Sequence, residues 1–192
     1  MNLSNIPNFI SIFRIILAVP VVFYLLRHEY SMAFAIFLVA CVSDLADGYI
    51  ARRYHWESQL GGWLDPVGDK ILLNSVYLAL WSMNVIIPGW LLVCIIARDV
   101  MIVGGVFYYY YRIEKITAHP TLISKINTLM QLVLVLFILI HKSFPALAAG
   151  TALEVINATM YIVVGLTLVS GAWYVVIGMR RMRRAVIFRT GG

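Results

Sequence analysis

Six apolar runs, each about 20 residues long, leave this chain few ways to fold. A helix needs roughly 20 apolar residues to cross the hydrocarbon core of a bilayer. Segments 8–27, 31–52, 60–82, 87–111, 122–141 and 155–179 all meet that length. In hydrocarbon no water satisfies backbone N–H and C=O groups, so each run must close its own hydrogen bonds as a helix. The joints between runs are short. The expectation is an all-α integral membrane bundle of six transmembrane helices, a single domain over 1–192 with no linker and no internal repeat. Composition agrees: 62% of residues are hydrophobic and 12% charged, against about 25% charged in a soluble domain.

The first run does not read as a signal peptide. It has no basic leading region, carries Arg14 internally and offers no small-residue cleavage site. No transit-peptide pattern precedes it, which favours a bacterial inner membrane over an organelle. Cys41 and Cys94 lie inside runs with no motif around them and read as small apolar side chains.

Basic residues set the orientation. Arg52 and Arg53, then Arg112, Lys115 and Lys125, then Arg180, Arg181, Arg183, Arg184 and Arg189 all fall on one side of a six-span topology, whereas the other side has Arg27 and Lys142. Both termini are therefore expected in the cytoplasm. This asymmetry supplies most of the net charge of +6. The arginine cluster at 180–184 is either a topology signal alone or also an attraction for anionic headgroups. Nucleic-acid binding would need a basic soluble face, and the sequence has none. Trp81, Trp90 and the tyrosines at 108–111 sit at run ends, where interfacial aromatics belong. The tail IFRTGG is expected to be disordered.

Against this background the charges inside the runs stand out: Arg14, Asp44, Asp47, Asp65, Asp69, Lys70, Arg98 and Asp99. Each costs about 2.5–3.5 kcal/mol at a helix centre on insertion scales, which is too much for incidental residues. Nearly all fall in the cytoplasmic half, which points to one polar cavity open on that side. Asp44, Asp47, Gly48, Ala51 and Arg52 follow i, i+3, i+4, i+7, i+8 spacing, one face of a helix. Gly61, Asp65 and Asp69 recur every four residues on the next run, and the short loop makes the two acidic faces antiparallel neighbours. Four close carboxylates do not all ionise without cations. Oxygen-only donors select hard ions such as Mg²⁺, Mn²⁺ or Ca²⁺; zinc would want Cys or His, and His55 in the loop is read as solvated. Gly48 either admits a bulky ligand to the backbone or serves close helix packing; Gly62, Gly104 and Gly105 read as packing glycines.

DLADGYIAR, eight residues, then GGWLDPVGD resembles the signature of the CDP-alcohol phosphotransferases, DxxDGxxAR, eight or nine residues, GxxxDxxxD. All eight specified positions are present: Asp44, Asp47, Gly48, Ala51, Arg52, Gly61, Asp65 and Asp69. The resemblance implies that the four aspartates hold two divalent cations, Mg²⁺ or Mn²⁺, with Asp69 also the general base. It assigns Gly48, Ala51, Arg52 and Gly61 to the cytidine nucleotide, Arg52 on a phosphate. Asn8, Ser11 and Arg14 are similar to the family's Asn-x-x-Thr-x-x-Arg element, with serine keeping the hydroxyl. The implied reaction is attack of an alcohol on CDP-diacylglycerol with release of CMP. A homodimer is likewise implied by the resemblance alone.

For the acceptor, IIARDVMIVGGVFYYYYR followed by PTLISKINTLMQL looks most like the cardiolipin synthase branch, whose acceptor is phosphatidylglycerol. Arg98 and Lys125 would hold the acceptor phosphodiester or the CDP diphosphate, and Asn127 a glycerol hydroxyl. Arg98 with Asp99 could equally be a structural ion pair. The alternative is a phosphatidylglycerophosphate synthase, to which NIPN…R and LDPV.DK are similar, using glycerol 3-phosphate. A transporter would explain intramembrane acids but not Gly48, Ala51, Arg52 and Gly61 at their spacings. Metal-dependent release of CMP from CDP-diacylglycerol by the purified protein separates enzyme from transporter.

Overall fold

The computed structural model describes the backbone of residues 6–54, 61–112, 121–145 and 150–190, and the side chains of 13–43, 70–105, 121–145 and 150–176. The described residues are helical apart from turns. The six helices are α1 (Ile6–Leu26), α2 (Tyr30–Tyr54), α3 (Gly61–Ser82), α4 (Gly89–Arg112), α5 (Leu122–Ser143) and α6 (Ala152–Thr190), close to the six apolar runs. Leu122–Ser143 and Ala152–Val176 are long and apolar enough to cross a membrane by length and composition. Only 39% and 28% of their most apolar stretches lie inside the bundle, so most of that apolar surface faces outward. Tyr161, Leu168 and Val169 on α6 and Leu122, Ile126 and Leu129 on α5 are all exposed. Arg98, Asp99, Ser124, Asn127, Gln131, Thr167 and Ser170 are instead buried. An apolar exterior around a partly polar interior suits a lipid surround.

Two joints are cut by the same device. His28 (φ 60) ends α1 in the left-handed region, with His28 N–H donating to Leu25 O at 2.7 Å and Glu29 N–H to Tyr24 O at 2.9 Å. Asn84 (φ 53) ends α3 likewise, with its N–H on Trp81 O and that of Val85 on Leu80 O, both at 2.9 Å. This paired pattern satisfies terminal carbonyls that no later turn would reach. Ile86 (φ 56) follows in a tight turn closed by Ile87 N–H to Val85 O at 2.5 Å, which tucks Val85 and Ile87 into the core. At the other end of the bundle, Thr121 caps α5 by accepting from Ser124 N–H at 3.3 Å.

The main packing pairs close a ring: α1 on α2, α2 on α5, α5 on α6, α6 on α4, α4 on α3 and α3 on α1, with α3 also reaching α5 across the middle. Ala18, Val21 and Leu25 of α1, Ala33 and Phe37 of α2, Val76, Tyr77 and Leu80 of α3, Leu91 and Ile95 of α4, Leu134 and Ile138 of α5, and Ile156 and Val163 of α6 form the apolar core.

Two expectations are corrected. The C-terminal segment is not an irregular tail, because α6 runs unbroken for 39 residues to Thr190. Positions 180–190 contain no Gly or Pro and are rich in Arg, a good helix former, so nothing stops the helix before Gly191. At 1.5 Å per residue α6 is about 58 Å long, well beyond the roughly 30 Å of a hydrocarbon core. Gly104 and Gly105 are not packing glycines within this chain: they sit on an exposed stretch of α4, and a Cβ at either would meet nothing within 4 Å.

Tyr77 is fully buried, and its hydroxyl donates to Gln131 O at 2.9 Å, joining α3 to α5. Tyr77→Phe removes that bond and little volume. Thermal denaturation in detergent should register a loss of about 0.6–1 kcal/mol, the usual worth of an interhelical bond in a membrane protein.

Candidate functional site

The motif falls on helix ends. Asp44, Asp47, Gly48, Ala51 and Arg52 occupy the last three turns of α2, and Gly61, Asp65 and Asp69 the first three of α3. Both segments are helical, so positions 44, 47, 48, 51 and 52 share one face of α2, and 61, 65 and 69 share one face of α3. The side chains of all eight lie outside the described residues. Asn8 and Ser11 belong to the first turns of α1, and their side chains also lie outside. Arg14, three residues on, is 4% exposed. The ring order modifies one expectation: among the described residues α2 and α3 are not a main packing pair, and α1 packs against both. The apolar stripe of α1 fits between them, which makes α1, with Arg14, the common neighbour of the two motif helices.

Directly after Asp69 begins a polar layer with described side chains. Lys70 Nζ donates to Asp99 Oδ1 at 2.5 Å, and Asn74 Nδ2 to Asp99 Oδ2 at 3.3 Å. Arg98 Nη1 donates to Asp99 Oδ1 at 2.8 Å. Its Nη2 reaches Ser124 Oγ at 2.6 Å on α5 and Ser170 Oγ at 2.8 Å on α6. Thr167 Oγ1 donates to Asn127 Oδ1 at 3.1 Å, joining α6 to α5. Helices α3 to α6 are thus stitched at one level. Lys70, Arg98 and Asp99 together carry one positive charge in excess.

Three site residues expected from sequence fall here. Arg98 is 3% exposed, and three hydrogen bonds occupy its two terminal nitrogens; its Nε has no partner among the described residues. The ion pair with Asp99 is present at 2.8 Å. Asn127 is fully buried, its oxygen taken by Thr167 and its Nδ2 without a partner among the described residues. Lys125 is exposed, on another face of α5 from Ser124 and Asn127. Asn74, Ser124, Gln131, Thr167 and Ser170 belong to no motif in the sequence, and Lys70 stands out there only as a charge. A signal was available: Ser124, Asn127 and Gln131 repeat at i, i+3, i+7 within an otherwise apolar run, and all three are buried.

Among the described residues no group of three His, Cys, Asp or Glu side chains is placed to hold a metal. The four motif aspartates are an oxygen-only donor set on two helix ends, and its chemistry fits hard divalent ions. Four carboxylates, a buried arginine and a cationic layer one residue beyond make an arrangement suited to binding cation and phosphate together.

Comparison with known proteins agrees with the motif. The sequence profile of the CDP-alcohol phosphatidyltransferase family matches residues 4–169. A cardiolipin synthase (CMP-forming) of Rattus norvegicus is 38% identical over 150 residues, covering 70% of this chain and 49% of the relative. The Homo sapiens protein of that name is also 38% identical, covering 70% and 50%. A CDP-diacylglycerol–glycerol-3-phosphate 3-phosphatidyltransferase of Aquifex aeolicus is 30% identical over 131 residues, covering 65% and 70%. The chain spans about half the length of the two mammalian relatives.

Ser124 and Ser170 each accept one proton of Arg98 Nη2. Replacing either with Ala strands a buried charged donor, and each single variant should lose about 1.5–3 kcal/mol in thermal denaturation. The double variant leaves that nitrogen with neither serine acceptor and should be the least stable of the three; singles at wild-type stability would mean that Arg98 does not depend on these serines.

Proposed function

The chain belongs to the CDP-alcohol phosphatidyltransferase family, and on that premise we propose that it is a cardiolipin synthase. It would transfer the phosphatidyl group of CDP-diacylglycerol to phosphatidylglycerol and release CMP. The observation that carries the reading is the complete eight-position motif, seated on the end of α2 and the start of α3, two helices that share α1 as neighbour. The choice of acceptor is supported by the two relatives at 38% identity.

In this proposal the domain is one bundle over 1–192 with six spans, both termini and the motif on the cytoplasmic side of a bacterial inner membrane. The chain works as a homodimer. Asp44, Asp47, Asp65 and Asp69 hold two Mg²⁺ or Mn²⁺ ions, which when bound neutralise the diphosphate and the charge gathering on the leaving group. Gly48, Ala51 and Gly61 leave room for the cytidine nucleotide, and Arg52 pairs with a phosphate. Asn8, Ser11 and Arg14 line the same site from α1. Lys125, exposed at the start of α5, meets the acceptor phosphodiester. Arg98 and Asn127 border the acceptor through Nε and Nδ2, the atoms their helix-joining bonds leave over.

Asp69 takes the proton of the acceptor hydroxyl, which is general-base work. The hydroxyl oxygen bonds to the phosphorus next to diacylglycerol. The bond from that phosphorus to the bridging oxygen breaks, and CMP leaves with the electron pair. The second reading keeps these steps and replaces the acceptor with glycerol 3-phosphate, the acceptor in the name of the Aquifex relative.

The deciding experiment offers purified protein CDP-diacylglycerol and Mg²⁺ or Mn²⁺ with either phosphatidylglycerol or glycerol 3-phosphate, and reads lipid products by mass spectrometry. Cardiolipin from the first acceptor alone is expected, falling about 10²–10⁴-fold in Asp69→Asn, the usual range for losing a general base. Phosphatidylglycerophosphate from the second acceptor would move the protein to the other branch.

A further inference from the structure

The residue after the proposed base belongs to a different structural unit. Lys70 follows Asp69, so their Cα atoms stand about 3.8 Å apart. Positions 65 and 69 share one face of α3; positions 70 and 74 share the next, about 100° round the helix. On that second face Lys70 Nζ takes one oxygen of Asp99 and Asn74 Nδ2 the other. Two donors one turn apart on α3 therefore grip both oxygens of a single α4 carboxylate. A two-point grip sets the rotation of α3 about its axis and its height against α4. Arg98 extends the reference, binding Asp99 from the same helix and Ser124 and Ser170 on α5 and α6.

Helix contacts in lipid lack the hydrophobic drive that locks a soluble core, so sliding by a fraction of a turn is resisted chiefly by fit and by directional polar bonds. A shift of α3 would move positions 65 and 69 together relative to 44 and 47 on α2. We propose that Lys70 and Asp99 are positioning residues: their ion pair sets the register of the acid-bearing turns of α3, and thereby the spacing of the two aspartate pairs that share the cations. Engaged with Asp99, Lys70 is also held as part of the scaffold rather than as a cation facing substrate. The inference rests on the reading of the four aspartates as metal ligands.

The test compares wild type with Lys70→Gln, Asp99→Asn, Asp99→Glu and the double variant K70Q/D99N in detergent. Mn²⁺ binding without substrate is read by electron paramagnetic resonance, and the half-saturating Mn²⁺ for CMP release is read beside it. Lys70→Gln should fold, because Arg98 and Asn74 still hold Asp99, and should weaken Mn²⁺ binding about tenfold, the low end for residues supporting a metal's ligands. Asp99→Asn should weaken it at least as much, and Asp99→Glu should recover part of the loss by restoring the carboxylate. The double variant should be no weaker than the worse single, since both changes break one bond. Wild-type Mn²⁺ binding in both singles would overturn the proposal. So would losses that multiply in the double variant, because Lys70 would then act without Asp99. A wild-type protein that neither binds Mn²⁺ nor releases CMP overturns the underlying functional reading and this inference with it. Active wild type with indifferent variants overturns the inference alone.

Discussion

The carboxylate of Asp99 is the point to which the interior of this bundle is tied. It accepts from Lys70 and Asn74 on α3 and from Arg98 on its own helix, and Arg98 passes the connection on to α5 and α6. A buried charge is tolerated only when paired and hydrogen-bonded, and here three charges and two hydroxyls satisfy one another almost completely. Removing one charged member of such a set costs about 3–5 kcal/mol because another charge is left exposed to a low dielectric. Lys70 and Asp99 need only α3 and α4, but the terminal nitrogens of Arg98 are satisfied only when α5 and α6 are also in place.

Away from that layer the bundle is apolar. Toward the joints at His28 and Asn84 the interior is Leu25, Phe37, Leu80, Leu91 and Ile138, and the described outward faces of α5 and α6 are mostly apolar, with Lys125, Glu154 and Asn157 exposed among them. Among the described residues the buried charges Arg14, Arg98 and Asp99 lie toward the end where α2 finishes and α3 begins, which is where the motif positions fall.

Much of the fold was legible because lipid punishes irregular backbone: apolar runs of spanning length have one solution, and the observed helices begin and end within a few residues of them except at the end of α6, which runs on to Thr190. The motif was legible through spacing, since 44, 47, 48, 51 and 52 can share a face only if the backbone is helical, and it is. What sequence did not disclose was lateral order. Nothing in the composition of α1 says that it packs against both motif helices, because Ala18, Val21 and Leu25 would suit any apolar groove. Ser170 and Thr167 were invisible for a related reason. A lone hydroxyl in a span commonly bonds its own helix, as Thr159 does with Val155 O at 2.7 Å, and only the three-dimensional structure tells such residues from those that cross to a neighbour. The tail from Ile187 was expected to be disordered because it is short, yet positions 187–190 continue the helix.

The route by which Arg98 is satisfied has a consequence for how the protein is made. Lys70 can meet Asp99 as soon as α3 and α4 form a hairpin. Arg98 can share the same carboxylate, but Ser124 arrives only with α5 and Ser170 only with α6, 72 residues after Arg98. In a bilayer the guanidinium would meanwhile need water or a headgroup. The growing chain thus carries an unfinished polar contact from the time α4 is made until α6 closes it.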